Sequence, residues 1–298
     1  MKTITILTPT YNRKEEIKKL YKSLCKQTSV DFKWMIIDDG SLDCTDQYIK
    51  SLNDSKFEIK YIKKNNGGKH TALNVGFSNL DTELVAIVDS DDQLIPTAIE
   101  TIIKYWEKYK DNKKLMGLVF KKKAPNNKEV SQKFKKKEFI DNYNNYVINQ
   151  NIKGDKFEIF KVSIIKEYHY PIFKGEKFIG EGVLWSKISR KYDTVFIDKA
   201  IYVCEYMEGG LTNCGRKMRL KNPYGGMYHS EEYLDNIYTL KVREKNALLY
   251  LLYARVAKMN IYALIKKKNN SILLIINVLP SLILYKLWSK KYLNRKEH

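Results

Sequence analysis

The stretch Leu84-Val85-Ala86-Ile87-Val88-Asp89-Ser90-Asp91-Asp92 constrains the fold more than any other part of the chain. Five apolar residues run straight into three carboxylates within four positions. A continuous apolar run rich in valine and isoleucine reads as a strand buried on both faces. Carboxylates rarely sit at a buried strand end unless something cationic pairs with them. A divalent metal carrying an anionic ligand meets that requirement.

The residues on either side place this strand in a repeating pattern. Ile4-Thr5-Ile6-Leu7-Thr8 reads as a first strand, ending at Pro9-Thr10-Tyr11-Asn12-Arg13. Asn12 with Glu15 resembles a capping pair for the helix carrying Ile17, Leu20, Tyr21 and Leu24. A second strand, Trp34-Met35-Ile36-Ile37, ends in Asp38-Asp39-Gly40-Ser41. A helix from Thr45 to Leu52 and a strand over Phe57 to Ile62 follow. Asn65-Asn66-Gly67-Gly68 then opens a helix over Lys69 to Ser78. Beyond the acid-rich strand, Pro96 starts a helix with an apolar face at Ile99, Ile102, Ile103 and Trp106. A fifth strand is expected over Leu115 to Phe120. Strands alternating with helices predict an α/β fold with a mostly parallel sheet. In such sheets ligands bind at the carboxyl ends of strands, and three strands here end in polar, ligand-ready loops.

Several familiar chemistries are excluded. An EF-hand reading from Asp89 fails because Leu94 stands where glycine is required and Pro96 interrupts the loop. Gly67-Gly68-Lys69 lets a ligand approach the backbone closely at a helix start. It lacks the phosphate-loop pattern, and no dinucleotide fingerprint follows the first strand. What remains is Mg2+ or Mn2+ held by few carboxylates, with ligand phosphates completing the shell. For Asp91 and Asp92 the competing reading is capping of the Pro96 helix. The basic balance, 54 Lys plus Arg against 34 Asp plus Glu for a net +20, points to an anionic partner. Nucleic acid has only that charge in its favour, so none is expected. Cys25, Cys44, Cys204 and Cys214 have no metal or redox spacing and read as reduced thiols. Met1 leads directly into a strand pattern, so no signal peptide is expected and the setting is cytoplasmic.

The second half reads less regularly. Lys121 to Lys137 is very basic and is expected to be a loop. Gly180-Glu181-Gly182 places a carboxylate on exposed backbone just before an apolar helix start. Val195 to Ile197 and Ile201 to Val203 read as two short strands, and residues 232–265 as a helix pair. The apolar run 272–288 contains Asn277 and Pro280 and has lysines at both ends. Spanning a bilayer takes ~20 apolar residues, and like charge on both flanks suits a span poorly. The run is expected to lie in the headgroup region of an anionic leaflet, with Tyr285 and Trp288 at the interface, peripheral on the inner face of the membrane.

Thr8-Pro9-Thr10-Tyr11-Asn12-Arg13, Ile37-Asp38-Asp39-Gly40-Ser41, Asn66-Gly67-Gly68-Lys69 with Ala72-Leu73-Asn74, and Val88-Asp89-Ser90-Asp91-Asp92 occur in that order. Together they resemble the inverting family 2 glycosyltransferases of bacterial surface-polysaccharide synthesis. The likeness is strong over residues 1–110 and weak over 170–212. It implies a GT-A-type mostly parallel, mixed sheet flanked by helices, followed by a C-terminal helical segment. Residues 1–225 would form the catalytic domain, with 1–110 as the nucleotide-sugar half and 111–225 as the acceptor half. Residues 226–298 would form the helical region.

The resemblance also implies roles. Pro9 and Tyr11 would line the nucleobase pocket, and Asp39 would hydrogen-bond uracil. Gly68 and Lys69 would lie near base and phosphates. Asp89 would contact the ribose or the metal shell, with Ser90 beside it, and Asp91 would ligate Mn2+ or Mg2+. The family's base usually belongs to a Glu-Asp pair. The matching place here is Glu181-Gly182, so Glu181 is the expected base and Glu176 the reserve. A histidine common in the family is absent near Met207, and Glu205, Glu208 or His229 are candidates to replace it. Arg216, Lys217 and Arg219 are candidates to clamp the diphosphate. The implied function is metal-dependent inverting transfer from a UDP-sugar to a glycan or lipid-linked acceptor. The alternative is a non-catalytic basic binding module on a degenerate transferase fold.

Overall fold

The computed structural model describes residues 2–52, 56–204, 215–267 and 271–293. The first third follows the predicted alternation: β1 (Ile4–Thr10), α1 (Lys14–Cys25), β2 (Phe32–Asp38), α2 (Thr45–Lys50), β3 (Glu58–Lys63), α3 (Lys69–Ser78) and β4 (Leu84–Ile87). β1 pairs in parallel with β2 and with β4, and β2 pairs in parallel with β3. The chain therefore builds outward from β1 to β3, then returns to the other side of β1. That reversal makes the carboxyl ends of β1 and β4 a topological switch point, the usual ligand crevice of an open sheet.

β4 is apolar throughout because both of its faces are covered. Ile17 and Leu20 of α1 and Trp106 of the next helix pack one side. On the other side α3 approaches so closely that a Cβ on Gly76 would lie 2.6 Å from the Leu7 side chain.

The next elements are β5 (Gln93–Leu94), α4 (Ala98–Tyr109), β6 (Leu115–Lys123), β7 (Glu138–Asp141), β8 (Lys156–Lys161), α5 (Val162–Ile165), α6 (Gly182–Ile188) and β9 (Asp193–Val203). The strand order is β3-β2-β1-β4-β8-β6-β9-β5, with β7 also on β9. β8 runs antiparallel between β4 and β6, which makes the sheet mixed.

Two expectations change here. β6 runs on through Lys123, so part of the expected basic loop is strand. Its Lys121 is buried because Glu129 and Asp198 pair with the ammonium at 2.6 and 2.9 Å. The two short strands near residue 200 are one strand, β9, whose register against β6 slips at several points. Such irregularities absorb the polar residues between two apolar runs.

The described residues fall into two compact units. One holds the sheet with residues 1–147, 151–170 and 188–205, and the other holds residues 148–150, 171–187 and 206–298. The second unit contains α7 (Gly215–Lys221), α8 (Pro223–Glu232), α9 (Leu240–Val256), α10 (Ile261–Lys266), α11 (Ser271–Ile276) and α12 (Val278–Trp288). Its core gathers Leu220, Met227, Leu251 and Leu274.

The apolar run 272–288 is two helices, broken at Asn277, whose amide donates to the Leu273 carbonyl at 2.9 Å. Pro280 falls in the first turn of α12, where its missing N–H costs nothing. Tyr285 and Trp288 pack inward on the α9 cluster rather than outward. Among the described residues no helix is long and apolar enough to cross a membrane.

Candidate active site

The acid-rich stretch ends β4 at the switch point. Carboxylate oxygens of Asp89, Asp91 and Asp92 all lie within 4.8 Å of one another. Three carboxyl groups that close require cations and hydrogen-bond donors around them, and three different elements supply these. Arg13, just past β1, pairs with Asp91. Lys69, the first residue of α3, pairs with Asp89 at 2.5 Å. Tyr202 of β9 donates its hydroxyl hydrogen to Asp92 at 2.6 Å and accepts the Asp89 N–H at 3.1 Å. Lys122 lies 4.0 Å over the Tyr202 ring.

These neighbours set different titration behaviour for adjacent carboxyls. Burial alone would raise Asp89, but Lys69, Lys122 and Arg13 overcome that and hold it below the usual range. Burial and the Asp89 charge push Asp92 up to about 7. Asp92 does not cap the Pro96 helix, as one reading expected. That helix, α4, begins at Ala98, and Asp92 is engaged by Tyr202 instead. Hard oxygen donors in this number suit Mg2+ or Mn2+. Asp91, with its side chain 19% exposed, is open enough to share a metal with water and phosphate.

The β1–α1 turn differs from expectation. Asn12 does not cap α1. It adopts a left-handed backbone (φ 51°), which asparagine tolerates better than most residues. From there its N–H donates to Ser41 Oγ at 2.8 Å, and its Oδ1 accepts the Leu42 N–H at 2.7 Å. Capping falls to Asp43 of the neighbouring loop, which accepts the Lys14 N–H at 2.9 Å.

Asp38 braces that loop, accepting from Ser41 N–H at 2.7 Å and the Tyr61 hydroxyl at 2.6 Å. Asp39 is almost fully buried. Its two oxygens accept from Lys64 Nζ, Asn66 Nδ2, Gly67 N and Gly68 N at 2.6–3.1 Å. Gly68 has φ +92°, a conformation that favours glycine. Pro9 is buried at the end of β1, Ser90 is buried beside the acids, and Tyr11 is 45% exposed.

In the second unit, Glu181 immediately precedes α6, and its carbonyl accepts the Leu184 N–H at 2.9 Å. Glu176 sits elsewhere. It is buried, and its two oxygens accept the N–H groups of Tyr224 and Gly225 at 2.8 and 2.7 Å, at the start of α8. Helix N-termini present such orphan donors, so this carboxylate serves as a cap.

His229 has its Nδ1 buried without a hydrogen-bond partner, against Gly180. Burial, with Arg219 nearby, pushes its pKa down to about 3. Arg219 stacks over Phe178 and Arg216 over Trp288. Glu205, Met207, Glu208 and Cys214 lie outside the described residues.

Sequence reasoning missed Tyr202, which sits unmarked in an apolar strand. It also missed the pairing of Arg13 with Asp91, although Arg13 closes the first of the four ordered motifs.

Residues 5–168 match the family described as "Glycosyl transferase family 2". A "GalNAc(5)-diNAcBac-PP-undecaprenol beta-1,3-glucosyltransferase" of Campylobacter jejuni is 27% identical over 95% of this chain and 92% of its own length. Other curated relatives align over 101 to 111 residues, and this chain spans only 11% to 33% of their length.

Among solved structures, S. aureus TarS 1-349 in complex with UDP-GlcNAc has TM-score 0.64 at 19% identity, covering 96% of this chain and 81% of its own. The mannosyltransferase PcManGT from Pyrobaculum calidifontis, in complex with GDP-Man and Mn2+, has TM-score 0.58 at 15% identity, covering 99% and 88%. The family match covers over half of the 298 residues and includes all four ordered motifs, and the likeness in fold extends over nearly all of the chain. The chain therefore belongs to glycosyl transferase family 2 and is a glycosyltransferase of GT-A fold.

Proposed function

We propose that the protein is a metal-dependent inverting glycosyltransferase that moves a sugar from a UDP-sugar to a glycan or lipid-linked acceptor in cell-surface polysaccharide synthesis. The observation that carries this reading is the Asp89, Asp91, Asp92 cluster at the switch point, with cations from β1 and α3 converging on it. Family membership sets aside the non-catalytic alternative. The UDP ligand of TarS and the undecaprenol-linked acceptor in the Campylobacter enzyme's name support the donor and acceptor classes.

In this reading residues 1–225 form the catalytic region. Pro9 and Tyr11 flank the nucleobase. Asp39 contributes by fixing the 64–68 segment through four bonds, and so sets where Gly68 and the base-facing backbone lie. Asp89 and Ser90 face the ribose, and Lys69 faces the phosphates. Asp91, with Asp89 beside it, would hold Mn2+ or Mg2+. The ion, when bound, neutralises charge developing on the diphosphate leaving group.

Glu181 takes the proton from the acceptor hydroxyl as its oxygen attacks the anomeric carbon, and the bond to the diphosphate breaks on the opposite side. The engagement of Glu176 at the start of α8 supports Glu181 as the base. Titration of UDP with and without Mn2+ tests the donor site: absence of binding under both conditions would overturn the reading. Glu181→Gln should lower turnover roughly 10²- to 10⁴-fold while UDP affinity stays unchanged. Normal turnover in that variant would eliminate Glu181.

The reading extends to peripheral contact with an anionic membrane through the helices of 226–298. Ile272, Ile275, Ile276, Leu279, Ile283 and Leu287 are each at least 58% exposed, and their spacing follows one helical stripe along α11 and α12. The opposite side, with Leu274 and Ser281, is buried. Lys267, Lys290 and Lys291 flank the stripe, and a second copy with net +20 would meet repulsion where an anionic leaflet would not. Sedimentation with anionic and neutral vesicles tests this. The triple change Ile275→Glu, Leu279→Glu, Ile283→Glu should abolish binding to anionic vesicles in the full chain. Unchanged binding would reject the stripe.

A further inference from the structure

The β1–α1 turn is held more rigidly than a simple connection requires. Three hydrogen bonds tie Asn12 and Lys14 to the Ser41–Asp43 loop, and Asn12 is kept in the left-handed region. Positions held in sparsely populated backbone conformations persist where the surroundings over-determine them, and they cluster at functional sites. The side chain delivered by this turn is Arg13. It ends on Asp91, at the carboxyl end of β4.

As a purely structural device this pair would contribute little. The Arg13 and Asp91 side chains are 27% and 19% exposed, and partly exposed ion pairs are worth at most about 1 kcal/mol. The position matters more. Asp91 is the carboxylate with no hydroxyl or lysine among its hydrogen-bond and ion-pair partners described above, whereas Asp89 has Lys69 and Asp92 has Tyr202. A guanidinium on Asp91 therefore occupies the charge that a divalent ion would use. Guanidinium is also a planar fork of donors that matches phosphate oxygens bidentately.

We infer that Arg13 is a donor-binding residue that exchanges partners: it neutralises Asp91 when no metal is bound, and it passes to the donor's diphosphate when a metal takes Asp91. The inference rests on the metal-dependent reading above and assigns to it a residue that no motif role covered. It requires Arg13 to oppose metal binding and to favour nucleotide binding. A scaffolding residue would affect both in the same direction.

The test uses the full-length protein. Binding of Mn2+ alone is followed by the loss of the free-ion electron paramagnetic signal. Binding of UDP is followed by calorimetry at saturating Mn2+. Arg13→Gln is expected to tighten Mn2+ binding several-fold and to weaken UDP binding about tenfold, the scale of one lost charge-assisted hydrogen bond. Arg13→Lys keeps the charge but not the fork. It should hold Mn2+ affinity near the wild-type value and still lose part of the UDP affinity.

Weaker Mn2+ binding in Arg13→Gln, or unchanged values for both ligands, overturns the inference while leaving the donor site intact. Failure of the wild type to bind either ligand overturns the underlying reading and this inference with it. If Arg13→Gln melts far below the wild type, the Lys variant decides alone: wild-type affinity for both ligands in that variant overturns the exchange.

Discussion

The edge of the sheet and the Gly180–Gly182 turn hold their carboxylates by different means. At the sheet edge the backbone topology does the placing. β1, β2 and β4 end side by side, and the polar residues just beyond them bond to one another: Asn12 to Ser41 and Leu42, Asp43 to Lys14, Asp39 to the 65–68 loop. At the turn in the second unit the carboxylate sits between two glycines in unequal surroundings. A Cβ on Gly180 would lie 3.1 Å from His229 Nδ1, whereas on Gly182 its nearest neighbour would be the Tyr233 hydroxyl at 3.8 Å. The first arrangement is interlocked and should be brittle to substitution. The second is crowded at Gly180 and open at Gly182, and should tolerate change on one side.

The largest effect is expected at the interlocked edge. Asp91→Asn keeps the shape but removes the charge that would hold the metal. Turnover should fall about 10³-fold, or ~4 kcal/mol of transition-state stabilisation, with little change in melting temperature. Steady-state kinetics alongside a thermal melt check this. A variant with near-normal turnover would show that the cluster is not the metal site and would remove the main contrast between the two regions.

The brittleness should also appear in stability. Gly76→Ala on α3 would drive a methyl group to within 2.6 Å of Leu7 in the layer under the switch point. Overpacking of this kind costs about 1–3 kcal/mol, read as a lower denaturant midpoint at unchanged slope.

The same contrast explains what the sequence revealed. Where an apolar run ends in a polar cluster, the strand and the edge of the sheet that its polar residues reach can be read together, because parallel neighbours end on the same edge. The helix expected over Lys69 to Ser78 has those bounds in the structure. The partners contributed by distant elements could not be read. Tyr202 lies 110 positions from Asp92, beside the core residue Ile201 in the second apolar run of β9. Asp43 caps α1 across a gap of 29 positions, while the local candidate Asn12 is turned aside by its left-handed backbone. Local capping rules score only neighbours in sequence, so the competition from Asp43 was invisible to them. In the second unit the apolar run 272–288 was legible, but its break at Asn277 and its two-sided apolar character were not. Tyr285 and Trp288 turned inward because α9 offers them a cluster to pack against.

A smaller effect should distinguish the turn by its acid response. His229 is held neutral, its pKa at about 3 against an ordinary 6.5. The unfolded chain therefore binds this proton first as pH falls. Stability tied to the neutral imidazole is complete above about pH 6.5 and is lost as pH drops from there toward 3. His229→Gln should flatten the fall of melting temperature between pH 6.5 and pH 4 relative to wild type. Parallel curves for the two proteins would mean that His229 is not buried as neutral imidazole against Gly180.

The smallest effect belongs to Gly182. This position opens α6, makes no close Cβ contact and has no positive φ among those observed. Replacing a helical glycine by alanine removes unfolded-state freedom and is worth about 0.5–1 kcal/mol in favour of the fold where space permits. Gly182→Ala should therefore be neutral or slightly stabilising, whereas Gly180→Ala should destabilise because the His229 ring must give way. The Tyr233 hydroxyl also donates to the Gly182 carbonyl at 3.3 Å, a bond that an alanine leaves in place. A melting temperature for Gly182→Ala well below wild type would mean that this side of Glu181 is as constrained as the other, and the asymmetry drawn between the two glycines would not hold.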